Sequence, residues 1–312
     1  MKSFVLGIDI GGTNIKFGLV NSSGKVCLRA VLPTKKFIRS KNKLIDTIVF
    51  GVKDIISRCN LQKKILGVGI GLPGLVDMRR GVVNNLTNIS GWHNVPLKKI
   101  LEKRLRLPVF IDNDVNVIAL GEWKFGAGRG MTNMICITLG TGVGGGLIID
   151  NKIYRGEGFS AGEIGHIPLN ETGPRCNCGG YGCLESYIGN QHLLRKAKGI
   201  FKNQNISLEQ ITYLADQGNQ KAVHFWEEVA EHLGNGLSGV VNLLNPRCVV
   251  IGGGVAKAHR HLFHIISQTI KRRAMKIPAG MVKIVRAKLG NDAGIIGTQV
   301  LVKNALLSKI KE

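Results

Sequence analysis

The chain alternates short apolar runs with glycine-rich turns, then changes to a helical period. Phe4–Ile10 is a compact apolar run closed by Gly11-Gly12-Thr13. Asn14–Val20 and Lys25–Leu32 follow as further runs, joined by the polar turn Asn21–Gly24. Runs of this length broken by glycine turns predict a β-meander. Leu44, Ile45, Ile48, Val49, Val52, Ile55 and Ile56 then recur at helical spacing and predict a helix over 44–59. Ile65–Ile70 reads as a buried strand running into a loop at 71–77, and Leu97–Leu105 as a basic helix. Val109–Ile111 is a strand ending in Asp112-Asn113-Asp114, and a helix from Val115 to Trp123 follows it.

The meander then returns. Met134–Leu139, the turn Gly140-Thr141-Gly142, Gly144–Ile149, the turn Asp150-Asn151 and a strand resuming at Lys152 repeat the opening scheme. The two copies lie much too far apart for a solenoid and predict a duplicated domain. Beyond them the pattern is mainly helical, at 190–203, 207–217 and 219–244. A strand at Arg247–Ile251 enters Gly252-Gly253-Gly254, and a helix at 259–274, a strand at 281–287 and a helix over Asp292–Leu307 close the chain. The expectation is an α/β protein of two domains. One takes 1–115 with a C-terminal helix at 296–312, and the larger takes 116–295. No linker or low-complexity stretch separates them, so a shared hinge is expected.

Composition narrows the class. With 312 residues and 44% apolar content, two cores can form without disulfides. No apolar run is long enough to cross a bilayer. The N-terminal run ends in Asp9 and not in a small-residue cleavage site, so it reads as a strand and not a signal peptide. Cys27, Cys59, Cys136 and Cys248 are scattered, three of them in apolar runs, as expected of reduced thiols in a cytoplasmic protein. In that compartment the glycosylation pattern Asn85-Leu86-Thr87 carries no meaning. The net charge is +23, but the basic runs at 35–43, 98–106, 271–276 and the C-terminus are dispersed, with few aromatic residues among them. They read as solvated faces and not as a nucleic-acid or membrane surface, with attraction of an anionic substrate as a secondary reading.

One segment concentrates metal-binding chemistry. Three of the seven cysteines, Cys176, Cys178 and Cys183, follow His166 within a loop rich in glycine. Soft thiolates and an imidazole are the donor types of a closed tetrahedral zinc site. No second His or Cys pair follows Cys183, so this is not a zinc finger. Such a metal would give the loop a rigidity that its composition denies it. Glu163 and Glu185 flank the set.

The two Gly/Thr turns are candidate anion cradles. Backbone N–H groups can line a phosphate there, and glycine permits close approach. Thr13, Thr138 and Thr141 add hydroxyls, and Asp9 at the end of the first strand has the chemistry to hold Mg²⁺ directly or through water. Gly140–Gly145 also matches the dinucleotide fingerprint of an NAD oxidoreductase. That fingerprint needs a helix to open at its last glycine, whereas Leu147-Ile148-Ile149-Asp150 continues as a strand. In Asp112-Asn113-Asp114 any of the three residues can cap the following helix. The functional reading makes Asn113 a hydroxyl-binding amide and one aspartate a base. An amide, an aspartate and two glutamates suit a polyol.

These motifs together resemble the sugar kinases of the ROK family (repressor, open reading frame, kinase), and within it the bacterial glucokinases. The residues that carry the resemblance are DIGGTNIK at 9–16, GLPGLVD at 71–77, DND at 112–114, LGTGVGGG at 139–146, EIGH at 163–166, CNCGGYGCLE at 176–185 and IGGG at 251–254. The resemblance implies an actin- and hexokinase-like fold of two ribonuclease-H-like domains around a cleft, as a homodimer or higher homo-oligomer. It implies ATP bound by Asp9, Gly11, Gly12, Thr13, Asn14, Lys16, Thr138, Gly140, Thr141, Gly142, Gly253 and Gly254. Asp114 would be the general base, and Gly74, Asn113, Glu163, His166 and Glu185 would contact the sugar. His166 would double as a zinc ligand with the three cysteines. The implied reaction is phosphorylation of the 6-hydroxyl of a hexose, glucose first. The alternatives are an N-acetylglucosamine or N-acetylmannosamine kinase and a non-catalytic regulator. The family's repressors carry a DNA-binding module ahead of the first Gly/Thr turn, and Asp9 stands almost at the start of this chain.

Overall fold

A computed structural model describes residues 3–34, 40–59, 65–86, 91–259 and 261–308. The basic residues 35–39, Thr87 and the C-terminal residues 309–312 lie outside the described residues. The elements in chain order are β1 (Phe4–Ile10), β2 (Asn14–Asn21), β3 (Val26–Pro33), α1 (Lys41–Cys59), β4 (Ile65–Leu72), β5 (Leu75–Asp77), β6 (Val82–Asn85), β7 (His93–Val95), α2 (Leu97–Leu105), β8 (Val109–Asn113) and α3 (Asp114–Phe125). They continue with β9 (Met134–Leu139), β10 (Val143–Ile149), β11 (Lys152–Tyr154), α4 (Leu184–Ile188), α5 (Asn190–Phe201), α6 (Leu208–Asp216), α7 (Gln220–Leu244), β12 (Cys248–Gly253), α8 (Leu262–Arg273), α9 (Lys276–Met281), β13 (Lys283–Arg286) and α10 (Ala293–Ser308).

These elements form two compact units. The first takes Met1–Gly130, Lys152–Ala161 and Lys288–Glu312, and the second takes Met131–Asn151 and Gly162–Ala287. In the first, the sheet order is β3-β2-β1-β4-β8. β1 pairs antiparallel with β2, in a register that sets Asp9 opposite Lys16, and parallel with β4, which pairs parallel with β8. The second unit repeats this plan: β9 pairs antiparallel with β10 and parallel with β12, which pairs parallel with β13. This is the duplication expected from the two meanders, and the chain has the actin/hexokinase-type α/β fold class.

Packing explains the elements. α1 buries Leu44, Ile45, Ile48, Val49, Val52 and Ile55, the stripe that predicts it. α10 buries ten successive residues, Ala293–Val302, as a helix enclosed on all sides must. It lies against α3 through a glycine contact: a Cβ on Gly297 would stand 1.7 Å from the Val117 carbonyl oxygen. That close approach ties α3 to the first unit. The boundary therefore falls after Gly130 and not after residue 115, and the C-terminal share starts at Lys288 and not at 296.

Three local differences from the sequence reading have physical reasons. Part of the stretch at 71–77, read as a loop, is β5, which forms a small sheet in the order β5-β6-β7. Its strands span three or four residues each, too short for a periodic signal. α9 was not foreseen, because Pro278 reads as a breaker, yet it occupies the first turn, where proline is tolerated. Its presence delays the last strand to Lys283. Among the described residues, no helix is long and apolar enough to cross a membrane.

Candidate active site

In the first unit the candidate residues gather at the ends of β1 and β8. The Gly11–Thr13 turn is closed by Gly11 N–H on the Asn14 carbonyl at 2.9 Å. Thr34 braces it, donating its hydroxyl to Gly11 O at 2.8 Å and its N–H to Thr13 O at 2.8 Å. Gly12 and Thr13 are exposed, and nothing lies within 4 Å of where a Gly12 Cβ would be. Asp9 is packed under α10, since a Cβ on Gly294 would come within 3.0 Å of its carboxylate. Burial pushes the Asp9 carboxyl above its ordinary value, opposed by the Lys16 ammonium, whose Nζ is 3.3 Å from Oδ2. Lys16 also donates to the Asn291 carbonyl at 3.1 Å. A buried carboxylate whose ionised form burial disfavours is a fitting partner for a divalent cation.

Asp112, Asn113 and Asp114 divide the work at the start of α3. Asn113 is the N-cap: its Oδ1 accepts from Val115 N–H at 2.9 Å and Asn116 N–H at 3.3 Å. Its amide donates to the Gly74 carbonyl at 3.3 Å. Gly74 has φ +94°, and a Cβ there would stand 2.2 Å from Asn85 O, so only glycine fits. Asp112 is 1% exposed, and the Arg155 guanidinium binds its Oδ2 at 2.9 and 2.5 Å. Asp114 is half-buried at the first position of α3, with Oδ1 accepting from Val115 N–H at 2.9 Å.

In the second unit two glycine turns lie side by side. Gly253, at φ +91°, is in register with Leu139 on β9, and a Cβ there would meet the Leu139 carbonyl at 2.0 Å. Leu139 leads into Gly140-Thr141-Gly142, while Thr138, one residue earlier, pairs with Gly144 across the hairpin. Nothing lies within 4 Å of a Cβ on Gly140 or Gly254. β10 follows as a strand, antiparallel to β9, with no helix opening at Gly145, so the dinucleotide fingerprint fails its structural test. Glu185 on α4 accepts from Val143 N–H at 2.9 Å, and a Cβ on Gly142 would strike the same oxygen. It thereby joins α4 to the Gly/Thr turn.

The zinc candidates converge. Donor atoms of His166, Cys176, Cys178 and Cys183 all lie within 4.8 Å of one another. His166 Nδ1 is 3.6 Å from Cys176 Sγ, and Cys178 Sγ is 3.7 Å from Cys183 Sγ. Zinc with Zn–S of about 2.3 Å and Zn–N of about 2.0–2.1 Å sets tetrahedral neighbours roughly 3.5–3.8 Å apart. The donor set fits the metal. The loop is built by Cys176 N–H on Gly180 O at 2.8 Å and Gly182 N–H on Pro174 O at 2.9 Å. Burial pushes the Cys183 thiol up to about 12 and raises Cys176, whereas the Gly180 N–H lowers Cys178. With Nδ1 turned to the cysteines, Nε2 of His166 faces Glu163 Oε2 at 3.9 Å. Glu163 itself is exposed.

Two residues of this machinery escape a reading of the sequence. Arg155 stands between Tyr154 and Gly156 in a segment with no motif, and only the fold brings it to Asp112. Glu122 is fully buried and accepts N–H groups from Ala127 at 2.8 Å, Lys288 at 3.1 Å and Leu289 at 2.8 Å. It fixes the approach to Asn291 and α10. A lone glutamate inside an apolar helix is the signal that could have found it.

The ROK family model matches residues 5–305, and the chain belongs to the ROK family. It is 37% identical over 314 residues to the glucokinase of Halalkalibacterium halodurans, covering 96% of this chain and 94% of that one. It is 32% identical to the xylose repressor of Caldicellulosiruptor bescii, over 97% of this chain and 79% of that protein. Among solved structures it is similar to a ROK glucokinase from Streptomyces griseus in complex with glucose and AMPPNP, with TM-score 0.83 and 33% identity over 97% of this chain and 100% of that chain.

Proposed function

We propose that this ROK-family chain, an ATP-dependent sugar kinase, transfers the γ-phosphoryl group of ATP to the 6-hydroxyl of glucose, with Asp114 as general base. The observation that carries the assignment of the base is the fate of Asp112. Its carboxylate is buried and committed to Arg155, so the proton-accepting role falls to Asp114, half-buried at the head of α3. Asn113 and Gly74 support the sugar beside it, with Glu163, His166 and Glu185 as the further contacts. The glycine turns at 11–13, 140–142 and 253–254 hold the nucleotide together with Asn14, Lys16 and Thr138.

Phosphoryl transfer needs positioning and charge neutralisation more than covalent chemistry. Asp9 would hold Mg²⁺, which when bound supplies charge neutralisation at the phosphates. Asp114 takes the hydroxyl proton as the phosphoryl group moves. His166, Cys176, Cys178 and Cys183 would hold zinc as a structural ion, since four protein ligands leave no open position. Held through Nδ1, His166 would leave Nε2 for a sugar hydroxyl next to Glu163. Supporting this reading are the glucokinase relatives, the glucose and AMPPNP complex of a similar protein, and the donor geometry. The same reading carries a homodimer or higher homo-oligomer, which light scattering checks. Asp114→Asn should keep the fold and ATP binding and lose about 10²–10⁴-fold in kcat, the usual worth of a general base. Near-normal turnover in that variant would remove the base from Asp114.

A further inference from the structure

Both carboxylate oxygens of Asp112 have partners. Its Oδ2 takes both guanidinium contacts from Arg155, and its Oδ1 accepts from Asn113 N–H at 2.8 Å and Asn116 Nδ2 at 3.2 Å. A carboxylate this deeply buried needs a paired charge and filled lone pairs to persist. The residues it holds are those that open α3: Asn113 is the N-cap, and Asp114 is the first helical residue. Arg155 is therefore the far end of a rigid chain, Arg155 to Asp112 to Asn113 and Asn116, that ends where Asp114 begins.

Arg155 is itself well anchored. It lies in the segment Lys152–Ala161, which packs with the first unit although the residues before and after it belong to the second. Its carbonyl accepts from Ala161 N–H at 2.9 Å. The Arg79 guanidinium stacks 5.4 Å from the Phe159 ring centroid in the same segment. Phe159 has φ +58°, a left-handed backbone that a bulky residue keeps only where its surroundings impose it. One hydrogen bond within the segment and one contact outside it, Arg79 on Phe159, thus hold the segment whose Arg155 guanidinium meets Asp112.

We propose that Arg155 is a positioning residue for phosphoryl transfer: through Asp112 it sets the orientation of Asn113 and Asp114 without touching the sugar. This rests on the reading of Asp114 as the base. The two N–H groups on one oxygen require the planar fork of arginine, and a lysine would supply charge without that geometry.

The test compares Arg155→Met, Arg155→Lys, Asp112→Asn and the double variant Asp112→Asn/Arg155→Met, with Asp114→Asn alongside. Each of the first three should lower kcat and raise the sugar KM. The Arg155→Met loss in kcat/KM should be about tenfold or more, and Arg155→Lys should recover part of it. ATP affinity and zinc content should stay within about twofold of wild type in all of them, since their residues lie elsewhere. Arg155→Met strands a buried carboxylate, so the double variant and Arg155→Lys carry the test if that protein does not fold. A residue acting only through Asp112 gives a non-additive cycle, with the double variant no worse than the worse single one. Sugar kinetics within twofold of wild type in folded Arg155→Lys and in the double variant would overturn the proposal. So would fully additive losses, which would put Arg155 in direct contact with substrate. If Asp114→Asn is inactive while the Arg155 variants are normal, the positioning role fails alone. If Asp114→Asn retains turnover, the base assignment is what fails.

Discussion

Replacing Cys178 by alanine separates the metal's role from the nucleotide's. The variant removes one of four donors, the Sγ that stands 3.7 Å from Cys183 Sγ. The remaining three cannot close a tetrahedral shell, and the glycine-rich loop at 173–182 loses the cross-link that fixes it. The first casualty is the His166 ring, whose Nδ1 lies 3.6 Å from Cys176 Sγ and whose Nε2 is set 3.9 Å from Glu163. A hydrogen bond involving a charged group contributes about 1.5–3 kcal/mol, so losing one such contact to the sugar weakens binding by about 10–100-fold. The Gly11–Thr13 turn is in the other unit and should bind ATP as before. Metal analysis of the purified proteins, with calorimetric titration of glucose and of a non-hydrolysable ATP analogue, reads all three quantities. Wild-type protein without zinc, or a zinc-free variant with normal sugar affinity, would refute the reasoning.

Other perturbations probe other parts of the account. Burial holds the Asp9 pKa above its ordinary value of 3.8, so the native state binds more protons at that site than the unfolded chain. The associated stability is present below that ordinary value and is lost as pH rises through the native one. Asp9→Asn should thus gain Tm over wild type as pH climbs above the carboxylate range, while losing the protection that Mg²⁺ and ATP give; a gain confined to acid pH would contradict the assignment. Gly297→Ala drives a methyl into the Val117 carbonyl and should cost about 1–3 kcal/mol or more in urea unfolding. Gly239→Ala, with open space at the same test and a place in α7, should be neutral or stabilising by about 0.5–1 kcal/mol. Scanning fluorimetry should show ATP and not NAD raising Tm, because only a ligand of the native state does so; a shift with NAD alone would revive the oxidoreductase reading.

Much of the fold was legible because its elements are periodic. The stripe from Leu44 to Ile55 and the paired meanders each carry a pattern that burial enforces, and the candidate zinc donors sit close in sequence. What stayed hidden depends on long-range pairing. The assignment of α3 to the first unit rests on Gly121 of α3 meeting Gly297 of α10, and neither glycine signals that alone. Arg155 reaches Asp112 across 43 positions, and Glu122 reaches Leu289 across 167. The role of Asn113 was legible only as an alternative between cap and ligand. The structure gives it the cap through Oδ1 and a bond to Gly74 through its amide.

The central claim is tested most directly by the product. Purified protein with ATP and Mg²⁺ is offered glucose, mannose, N-acetylglucosamine and N-acetylmannosamine in turn. A coupled assay gives kcat/KM for each, and phosphorus NMR locates the new ester. Glucose should give the highest value and carry its phosphate on the 6-hydroxyl. A tenfold preference for an acetamido sugar, about 1.4 kcal/mol in transition-state binding, would contradict the substrate assignment. Absence of turnover with every sugar would contradict the kinase reading itself.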